Sequence, residues 1–370
     1  MLIEEGKISF NVPDNISVTK KDEVFYNPKM RTGRDFAVCV VDAFLEIYHK
    51  EDSALIADAL SGSGVRGLRY AKEIESKDVK VYLNDINPKA YKKILENIEI
   101  NNLKDKTEVF NEDANLFLNR FFRGFNVVDI DPFGSPSVYI DSALRALKPK
   151  NSLLCLTATD TAALCGRAVK SCLRKYLAYP LLTKDCHELA LRILVGYCLR
   201  VATKYELYLT PVLAHATDHY VRVYLKVDRG AKKADKAFKD LGYIKDVDGE
   251  KIINSFEDGY NKEFKGPFYI KNLYDKKVVE RALELSEERG FERAYKILSI
   301  INEEKEIDKV GCYDTHLLGK VLKISVPPIN TLIEKLKNKG YKVSRTHYNP
   351  RGIKTDASLT ELKKLLCEEL

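Results

Sequence analysis

Short apolar runs alternate with segments of helical periodicity from Ala54 to Thr157. The runs are rich in aliphatic and aromatic residues, as is typical of strands buried in a parallel sheet. Between the runs, apolar residues recur every three or four positions, as on one face of a helix. The predicted strands are Ala54–Leu60, Val79–Asn84, Lys106–Asn111, Phe125–Ile130 and Leu153–Thr157, and the helices around them are Phe36–Ile47, Leu68–Ile74, Asn87–Asn101, Ala114–Phe122 and Tyr139–Leu147. This alternation predicts a doubly wound α/β sheet.

Two further strands follow a strongly apolar helix at His187–Val201. The strands Tyr205–Ala214 and His219–Val227 are separated only by His215–Asp218. Because this connection is too short to contain a helix, the two strands are expected to form a hairpin that closes the sheet antiparallel.

The composition changes near Asp228, where a lysine-rich stretch begins. We therefore predict an N-terminal domain at residues 1–227, with a site-forming segment at 1–50, and a C-terminal domain at residues 228–370. Helical patterns in the second domain precede a strand at Tyr341–Thr346 and a basic loop, which is the order of a winged-helix-like part of an α+β domain. The predicted helices are Lys277–Arg289, Phe291–Glu304, Thr315–Leu322 and Ile329–Lys339.

Basic residues gather in the second domain, and aromatic rings lie among them. The basic residues are Lys320, Lys323, Lys335, Lys337, Lys339, Lys342, Arg345, Arg351 and Lys354, and the rings are Tyr341, His347 and Tyr348. Cations that neutralise phosphates and rings that stack on bases are typical of an RNA-binding face. A solvated charged surface is the alternative.

Composition and charge narrow the class of protein. Hydrophobic residues make up 45% of the chain and charged residues 31%, as in soluble globular proteins. No apolar run approaches the roughly 20 residues of a membrane span, and the N-terminus lacks an apolar signal region, so we expect a cytoplasmic protein. The eight cysteines contain no Cys-x-x-Cys pair, and the net charge of +7 is compatible with a polyanionic partner.

A glycine-rich turn follows the first predicted strand of the sheet. Gly62, Gly64 and Gly67 match the dinucleotide fingerprint and open a helix. Asp85, at the end of the second strand, is placed to take the ribose hydroxyls of a nicotinamide or an adenosyl cofactor. Asp113 follows the third strand, where a carboxylate accepts the adenine N6 amine in adenosylmethionine enzymes. This second acid, together with the closing hairpin, favours a class I (Rossmann-like) methyltransferase over a nicotinamide dehydrogenase.

The fourth predicted strand ends in an unusual corner. Asp131, Pro132 and Phe133 follow Ile130, and the proline ends the strand because it has no N–H to donate. The carboxylate of Asp131 and the carbonyl of Pro132 can each accept an N–H from an exocyclic amine, while Phe133 stacks on the ring that bears it. A plain strand followed by a Pro-Gly turn is the structural alternative.

Four stretches of the chain resemble the tRNA guanine-26 N2-dimethyltransferase family. They are Phe25–Pro28 with Arg34–Asp35, Asp58–Gly67, Asp129–Pro136 and Thr346–Asp356. The resemblance implies transfer of one or two methyl groups from S-adenosyl-L-methionine to the N2 amine of a guanine at tRNA position 26. It also implies two groups of site residues: Arg34, Arg66, Asp85, Asp113 and Ala114, with Asp58, Gly62 and Gly64 of the glycine stretch, for the cofactor, and Asp131, Pro132, Phe133 and Phe25 for catalysis and base stacking.

Two positions depart from the family pattern. The family usually has Asn before the Arg-Asp pair, and this chain has Gly33. Many members carry a cysteine-ligated zinc in the second domain, but Leu241–Lys265 contains no cysteine, so we predict no metal. We expect a monomer that binds tRNA and no membrane.

Three alternatives remain open from the sequence. One is another amino-group N-methyltransferase, acting on adenine N6 or on protein glutamine, although those enzymes commonly have the aromatic residue in the fourth place of the motif and this chain has Gly134 there. The others are a non-catalytic RNA-binding module on a methyltransferase fold, which would need a broken cofactor site, and a nicotinamide dehydrogenase.

Overall fold

A seven-stranded sheet lies at the centre of the computed structural model, which describes residues 1–12 and 24–367. The strands are β1 (Leu2–Glu5), β2 (Ile8–Asn11), β3 (Ser53–Asp58), β4 (Asp78–Asn84), β5 (Thr107–Phe110), β6 (Val127–Ile130), β7 (Lys150–Ala158), β8 (Leu207–Thr217), β9 (Tyr220–Arg229), β10 (Leu241–Val247), β11 (Glu250–Ser255), β12 (Lys265–Tyr269), β13 (Tyr313–Asp314), β14 (Val343–Arg345) and β15 (Gly352–Thr355). The helices are α1 (Arg31–Tyr48), α2 (Val65–Glu73), α3 (Pro88–Asn101), α4 (Ala114–Arg120), α5 (Ile140–Ala146), α6 (Thr161–Leu164), α7 (Val169–Tyr176), α8 (Cys186–Thr203), α9 (Ala231–Lys236), α10 (Lys276–Glu288), α11 (Glu292–Glu304), α12 (Thr315–Leu322), α13 (Ile329–Asn338) and α14 (Leu359–Cys367).

The central sheet has the strand order β5-β4-β3-β6-β7-β9-β8. Strands β3 to β7 are parallel, and β9 runs antiparallel to both of its neighbours. Strands β3, β4 and β5 follow one another toward one side edge of the sheet, and β6 and β7 follow one another toward the other. The strand order therefore reverses between β3 and β6. In open α/β sheets, ligands bind beyond the carboxyl ends of the strands at such a reversal. The predicted doubly wound sheet and its closing hairpin are confirmed.

The helix α1 is buried on all sides. Every residue from Thr32 to Leu45 is buried, whereas a surface helix buries only a stripe. The helix packs against α2, α10 and α11 as well as against the sheet. Its amino end lies at the same edge of the sheet as the glycine-rich turn, and this places Arg34 close to the expected cofactor site.

Two asparagines of α3 hold the N-terminal hairpin in place. Asn97 Oδ1 accepts from the backbone N–H of Asn11 at 2.7 Å, and Asn101 Oδ1 accepts from that of Ser9 at 3.0 Å. The distance between alternate residues of a strand and that between every fourth residue of a helix are both about 6–7 Å. The two asparagine side chains therefore align with two backbone N–H groups along the edge of β2. Asn97 Nδ2 also donates to the carbonyl of Ser63 at 3.0 Å, which links the hairpin to the glycine-rich turn.

A three-stranded antiparallel sheet with the order β11-β10-β12 was not predicted. The register of β10 and β11 pairs Val247 with Glu250, so the connection is the two-residue turn Asp248-Gly249. Both turn residues have positive φ, 55° and 93°, as a type I′ hairpin requires. An Asp-Gly pair between two apolar-rich runs is a strong hairpin signal, and it is the signal that would have revealed this sheet.

The C-terminal part has a core of its own. Strands β13, β15 and β14 form a small antiparallel sheet, and with α12, α13 and α14 they enclose a cluster that includes Leu332, Ile353 and Leu362. The predicted order of helix, helix and strand is present in this part.

The side chains of two members of the expected basic and aromatic face are buried, so their prediction as surface groups was wrong, and a third member, Tyr348, is half-buried. Lys354 is 2% exposed and binds Glu188 at 2.9 Å. The ring of His347 is fully buried against Glu304 at 2.8 Å, and the hydroxyl of Tyr348 donates to Glu188 at 2.6 Å. These side chains attach the C-terminal part to α8 and α11, because a buried carboxylate requires paired donors.

One hydrophobic cluster extends from Ile8 to Val310 across the expected boundary at residues 227 and 228. Helix α10 packs along α1, and β12 packs along α8. The division into two domains at that boundary stays a prediction. No helix within residues 1–12 and 24–367 is long and apolar enough to cross a membrane.

Candidate active site

The ends of four parallel strands bring the predicted site residues to one edge of the sheet. Asp58 ends β3, Asp85 follows β4, Asp113 follows β5, and Asp131 follows β6. The register pairs Asp58 with Leu83 and with Asp129 on its two neighbouring strands. The carboxylates predicted from separate parts of the chain therefore lie at one edge of the sheet.

The glycine-rich turn lies against Asp85. The backbone N–H of Gly62 donates to Asp85 Oδ2 at 2.8 Å, and that of Asn87 donates to Oδ1 at 2.9 Å. Gly62 and Gly64 have φ values of 55° and 81°, which side chains rarely adopt. A Cβ at Gly62 would lie 3.1 Å from the carbonyl oxygen of Phe25. The turn thus requires glycine, and it brings the Phe25 segment close to the expected cofactor site.

Burial raises the pKa of the Asp85 carboxyl, and the two backbone donors oppose that rise. Each carboxylate oxygen has two lone pairs, so both oxygens keep an acceptor position after binding one N–H. Ribose hydroxyls can fill those positions.

Asp113 caps the amino end of α4. Its Oδ1 accepts from the backbone N–H groups of Asn115 at 2.9 Å and Leu116 at 3.2 Å. The cap fixes the carboxylate and does not use Oδ2. Ala114 is buried directly beneath it at 3% exposure, so the two residues offer an acceptor and an apolar floor, which suits an adenine ring and its amine.

Asp131 forms an ion pair with Arg66 of α2 through Oδ2 and Nη2. The carboxylate is 21% exposed and the guanidinium 6%. Arg66 Nη1 is buried and has no hydrogen-bond partner among the described residues. An unpaired buried donor is costly, so this atom is a strong candidate to bind an anionic group such as the cofactor carboxylate.

Phe133 and Phe25 are in contact with each other. Their ring centroids are 4.5 Å apart and their planes make an angle of 79°, and Phe133 is 44% exposed. A base held between two rings needs a separation of about 7 Å, which is twice the contact distance of carbon atoms. The two rings must therefore move apart before a base can enter between them.

A second acid of the same motif, Asp129, is fully buried beneath the corner. Its oxygens accept from Arg222 Nη1 at 3.1 Å, from Arg222 Nη2 at 2.5 Å and from the hydroxyl of Tyr70 at 2.5 Å. Burial alone would raise the pKa of Asp129, but the charges of Arg222 and Arg66 outweigh burial and lower it. Neither Arg222 nor Tyr70 was predicted from the sequence, although an arginine inside the apolar strand β9 was a signal for a buried ion pair.

Asp58 lies under the glycine-rich turn at 1% exposure. Its Oδ2 accepts from the backbone N–H of Gly67 at 3.1 Å. Burial, together with the negative charge of Asp129, raises the pKa of Asp58 to about 7. In this conformation Asp58 supports the turn, and its predicted role in cofactor binding stays a prediction.

Arg34 binds the N-terminal hairpin. Its Nε and Nη2 each donate to Glu5 at 2.6 Å, and Nη1 and Nη2 donate to the carbonyl of Asn27 at 3.2 Å. Glu5 also accepts from Arg69 at 3.0 Å and from the hydroxyl of Tyr26 at 3.2 Å. Hydrogen bonds and charges of the two arginines outweigh burial and lower the pKa of Glu5 to about 2. Arg34 thus holds the segment that carries Phe25, and its predicted contact with the cofactor stays a prediction.

The departure at Gly33 has a structural explanation. A Cβ at this position would lie 2.6 Å from the hydroxyl oxygen of Tyr220. That hydroxyl is buried without a hydrogen-bond partner among the described residues, and burial raises the pKa of Tyr220 to about 12. The phenol of Tyr220 thus fills the space that an Asn side chain at position 33 would need.

The residues at this edge fit an adenosyl cofactor. Asp85 offers acceptors for the ribose hydroxyls. Asp113 offers an acceptor for the adenine amine beside the apolar side chain of Ala114. The unpaired donor on Arg66 suits the carboxylate. Among residues 1–12 and 24–367, no group of three or more His, Cys, Asp or Glu side chains is arranged to hold a metal ion. The absence of a structural zinc stays a prediction.

Comparisons with known proteins identify the family of this chain. The sequence profile of the N2,N2-dimethylguanosine tRNA methyltransferase family matches residues 6–367. A protein named tRNA (guanine(26)-N(2))-dimethyltransferase from Methanocaldococcus jannaschii is 64% identical over 361 residues, 97% of this chain and 96% of the relative. One of the same name from Methanococcus maripaludis is 48% identical over 369 residues, 99% of this chain and 98% of the relative.

A solved structure is similar over the whole chain. The complex of Trm1 from Pyrococcus horikoshii with S-adenosyl-L-methionine has a TM-score of 0.88 and 35% identity, and the match covers 98% of this chain and 99% of that chain. These matches confirm the resemblance inferred from the four sequence stretches, and the chain belongs to the N2,N2-dimethylguanosine tRNA methyltransferase family.

Proposed function

We propose that this chain methylates the exocyclic N2 amine of guanine 26 in tRNA, once or twice, with S-adenosyl-L-methionine as the methyl donor. The observation that carries the proposal is the corner after β6, where the carboxylate of Asp131 is held by Arg66 beside Phe133. The base and position come from the names of the relatives, each of which is called a tRNA (guanine(26)-N(2))-dimethyltransferase.

The proposed cofactor residues lie beyond the ends of three neighbouring strands, β3, β4 and β5. Asp85 accepts the ribose hydroxyls, Asp113 and Ala114 hold the adenine, and Arg66 Nη1 binds the carboxylate. When bound, S-adenosyl-L-methionine supplies an electrophilic methyl group on a positively charged sulfur. The side chains already described fix the direction from which that group is presented, because each rests on a strand end or a helix start.

Asp131 and the carbonyl of Pro132 orient the substrate amine. The N2 lone pair of guanine is delocalised into the ring, so the amine is a weak nucleophile. Two acceptors that hold its hydrogens turn the lone pair toward the methyl group, and this positioning supplies part of the rate enhancement. Positive charge develops on the nitrogen during transfer, and the preorganised carboxylate stabilises it. Since Arg66 binds Oδ2, we assign Oδ1 to the amine.

Phe25 and Phe133 replace the stacking that the guanine loses when it leaves the tRNA helix. An enzyme that modifies a base inside structured RNA must extrude it, and aromatic rings compensate for the unstacking. In the described conformation the rings contact each other. The base takes the place of that contact and covers the exposed part of Phe133.

Further parts of the proposal concern the whole molecule. We propose that the chain acts as a monomer in the cytoplasm without a metal ion, and that the domain at residues 228–370 contributes to tRNA binding. Light scattering on the purified protein, alone and with tRNA, tests the first point, since a mass near 42.2 kDa is expected for the free chain.

Nucleoside analysis tests the reaction itself. An unmodified tRNA transcript is incubated with the protein and S-adenosyl-L-methionine, digested, and examined for methylated nucleosides. We expect N2-methylguanosine and N2,N2-dimethylguanosine, and neither product from a matched transcript with adenosine at position 26. N6-methyladenosine in place of these products would refute the proposal in favour of another amino-group methyltransferase.

A further inference from the structure

The segment from Thr161 to Lys184 has an unusual charge. It contains five cations and no Asp or Glu among its 24 residues, in a chain whose net charge is +7. The cations are Arg167, Lys170, Arg174, Lys175 and Lys184. Ordinary protein surfaces intersperse charges of both signs, so this segment, which we call the 161–184 strip, departs from a typical solvated face.

One of the five cations forms an ion pair, and the surroundings of the other four differ from it. Lys175 pairs with Asp160 at 2.8 Å. The other four are exposed, and none forms an ion pair with any carboxylate in the described part of the chain. The positive charge of the strip is therefore directed to solvent and not used to stabilise the fold.

Helix α7 sorts its residues into two faces. Cys172 and Tyr176 are four residues apart, fully buried, and face the core. Lys170 and Arg174 are also four residues apart, so they project together on another face, which is exposed. The burial of one face fixes the direction of the other, so the two cations lie on the same exposed side of α7.

The strip is attached directly to the catalytic corner. It follows β7, whose Leu156 pairs with Ile130 at the end of β6. The backbone N–H of Thr159 donates to the carbonyl of the adjoining Gly134 at 2.9 Å, and the backbone N–H of Gly134 donates to Thr159 Oγ1 at 2.7 Å. At the other end of α7, Ser135 donates to the hydroxyl of Tyr176 at 2.8 Å.

We propose that the 161–184 strip binds the sugar-phosphate backbone of the tRNA beside the extruded guanine, with Lys170 and Arg174 as its principal phosphate contacts. This inference rests on the proposed function, because a base at Asp131 brings the neighbouring phosphates to this edge of the sheet. Each nucleotide carries one negative charge, which an acid-free surface complements. The expected C-terminal face is less suited, since Lys354 is buried and Lys339 lies 3.3 Å from Glu361.

A pair of charge-removing variants tests the inference. Lys170→Gln with Arg174→Gln should weaken tRNA binding roughly 15- to 30-fold at 0.15 M salt. This range follows from loss of two phosphate contacts, each worth about 0.7–0.9 in the slope of log K against log salt. That slope should decrease in magnitude by about 1.4–1.8. Fluorescence anisotropy of labelled tRNA across a salt series measures both quantities, and calorimetry should give an unchanged affinity for S-adenosyl-L-methionine.

The control places the same number of charge changes at the opposite edge of the sheet. Lys50 and Lys104 are exposed and precede β3 and β5, so Lys50→Gln with Lys104→Gln should leave tRNA affinity and slope as in the wild type. The inference is overturned if the Lys170 and Arg174 pair keeps the wild-type affinity and slope, or if the control pair loses as much. The proposed function fails by a different result, in which the wild-type protein forms no methylated guanosine. The comparison of tRNA affinities does not depend on methylation, so it tests the inference whether or not the proposed function holds.

Discussion

Two acids of one motif, Asp129 and Asp131, are two residues apart and are expected to respond in opposite ways to the same substitution. The side chain of Asp129 is fully buried and accepts three hydrogen bonds from Arg222 and Tyr70. That of Asp131 is 21% exposed and has its ion pair with Arg66. Each asparagine variant is therefore the control for the other.

Asp129→Asn should reduce stability. It removes the charge that compensates the buried guanidinium of Arg222, and breaking one side of a buried pair costs about 3–5 kcal/mol. An unfolding entropy of about 2.1 cal/mol/K per residue gives roughly 0.8 kcal/mol/K for a chain of this length, so the unfolding temperature should fall by roughly 4–6 °C. Thermal unfolding followed by circular dichroism measures the shift.

Asp131→Asn should reduce the rate instead. The carboxylate of Asp131 reaches solvent, so loss of its ion pair should cost less stability than loss of the fully buried pair of Asp129. Loss of one preorganised electrostatic group slows turnover by about 100- to 1,000-fold. Single-turnover methylation at saturating tRNA and cofactor isolates the chemical step. A near-normal rate for Asp131→Asn, or a greater loss of stability than for Asp129→Asn, would refute the division of roles between the two acids.

Three further predictions follow from the site. Glu5→Gln should lower the free energy of unfolding by about 3 kcal/mol at pH 7, because the pKa of Glu5 is lowered from 4.5 to about 2. This stabilisation is complete above about pH 4.5 and is lost as the pH falls toward 2. Urea unfolding should therefore show a smaller difference between variant and wild type at pH 3 than at pH 7, and an equal difference would contradict the prediction. Asp85→Ala should weaken S-adenosyl-L-methionine binding by about 1–3 kcal/mol in calorimetry, and an unchanged affinity would remove Asp85 from the cofactor site. Phe133→Ala should weaken productive tRNA binding by about 1–3 kcal/mol through lost stacking, measured as an increase in KM for tRNA, whereas Phe122→Ala, at a ring 58% exposed beyond the end of α4, should not; equal effects would mean that Phe133 does not stack on the base.

The strands and acids of the site were predictable because their signals are local. An apolar run, a glycine turn and an acid at a strand end are contiguous in sequence, and the parallel sheet then brings Asp85, Asp113 and Asp131 to one edge. The side chains that bind these acids were harder to predict from the sequence. The contact between Arg66 and Asp131 spans 65 residues, and that between Arg222 and Asp129 spans 93, so no pattern within one element indicates them.

The errors in the C-terminal part have the same origin. Lys354 and His347 have the sequence context of an exposed basic loop, and their partners Glu188 and Glu304 are 166 and 43 residues away. A charged side chain is assigned to the surface unless its counterion is known, since an unpaired buried charge is prohibitively costly. The hairpin of β10 and β11 differs, because its Asp248-Gly249 turn was a local signal.

Because α1 is buried on all sides, part of its apolar surface remains uncovered while the rest of the chain is being synthesised. Its residue Glu46 contacts Arg281 of α10 at 2.8 Å across 235 residues, and Asp42 binds Arg289 across 247. At synthesis rates of about 5–20 residues per second, α10 emerges roughly 10–50 s after α1. Throughout that interval the apolar surface that α10 later covers has no partner, so the nascent chain is prone to aggregate until α10 has been translated. A fragment that stops after β9 would keep that surface uncovered permanently, and it should be recovered in the insoluble fraction unless residues 276–288 are supplied.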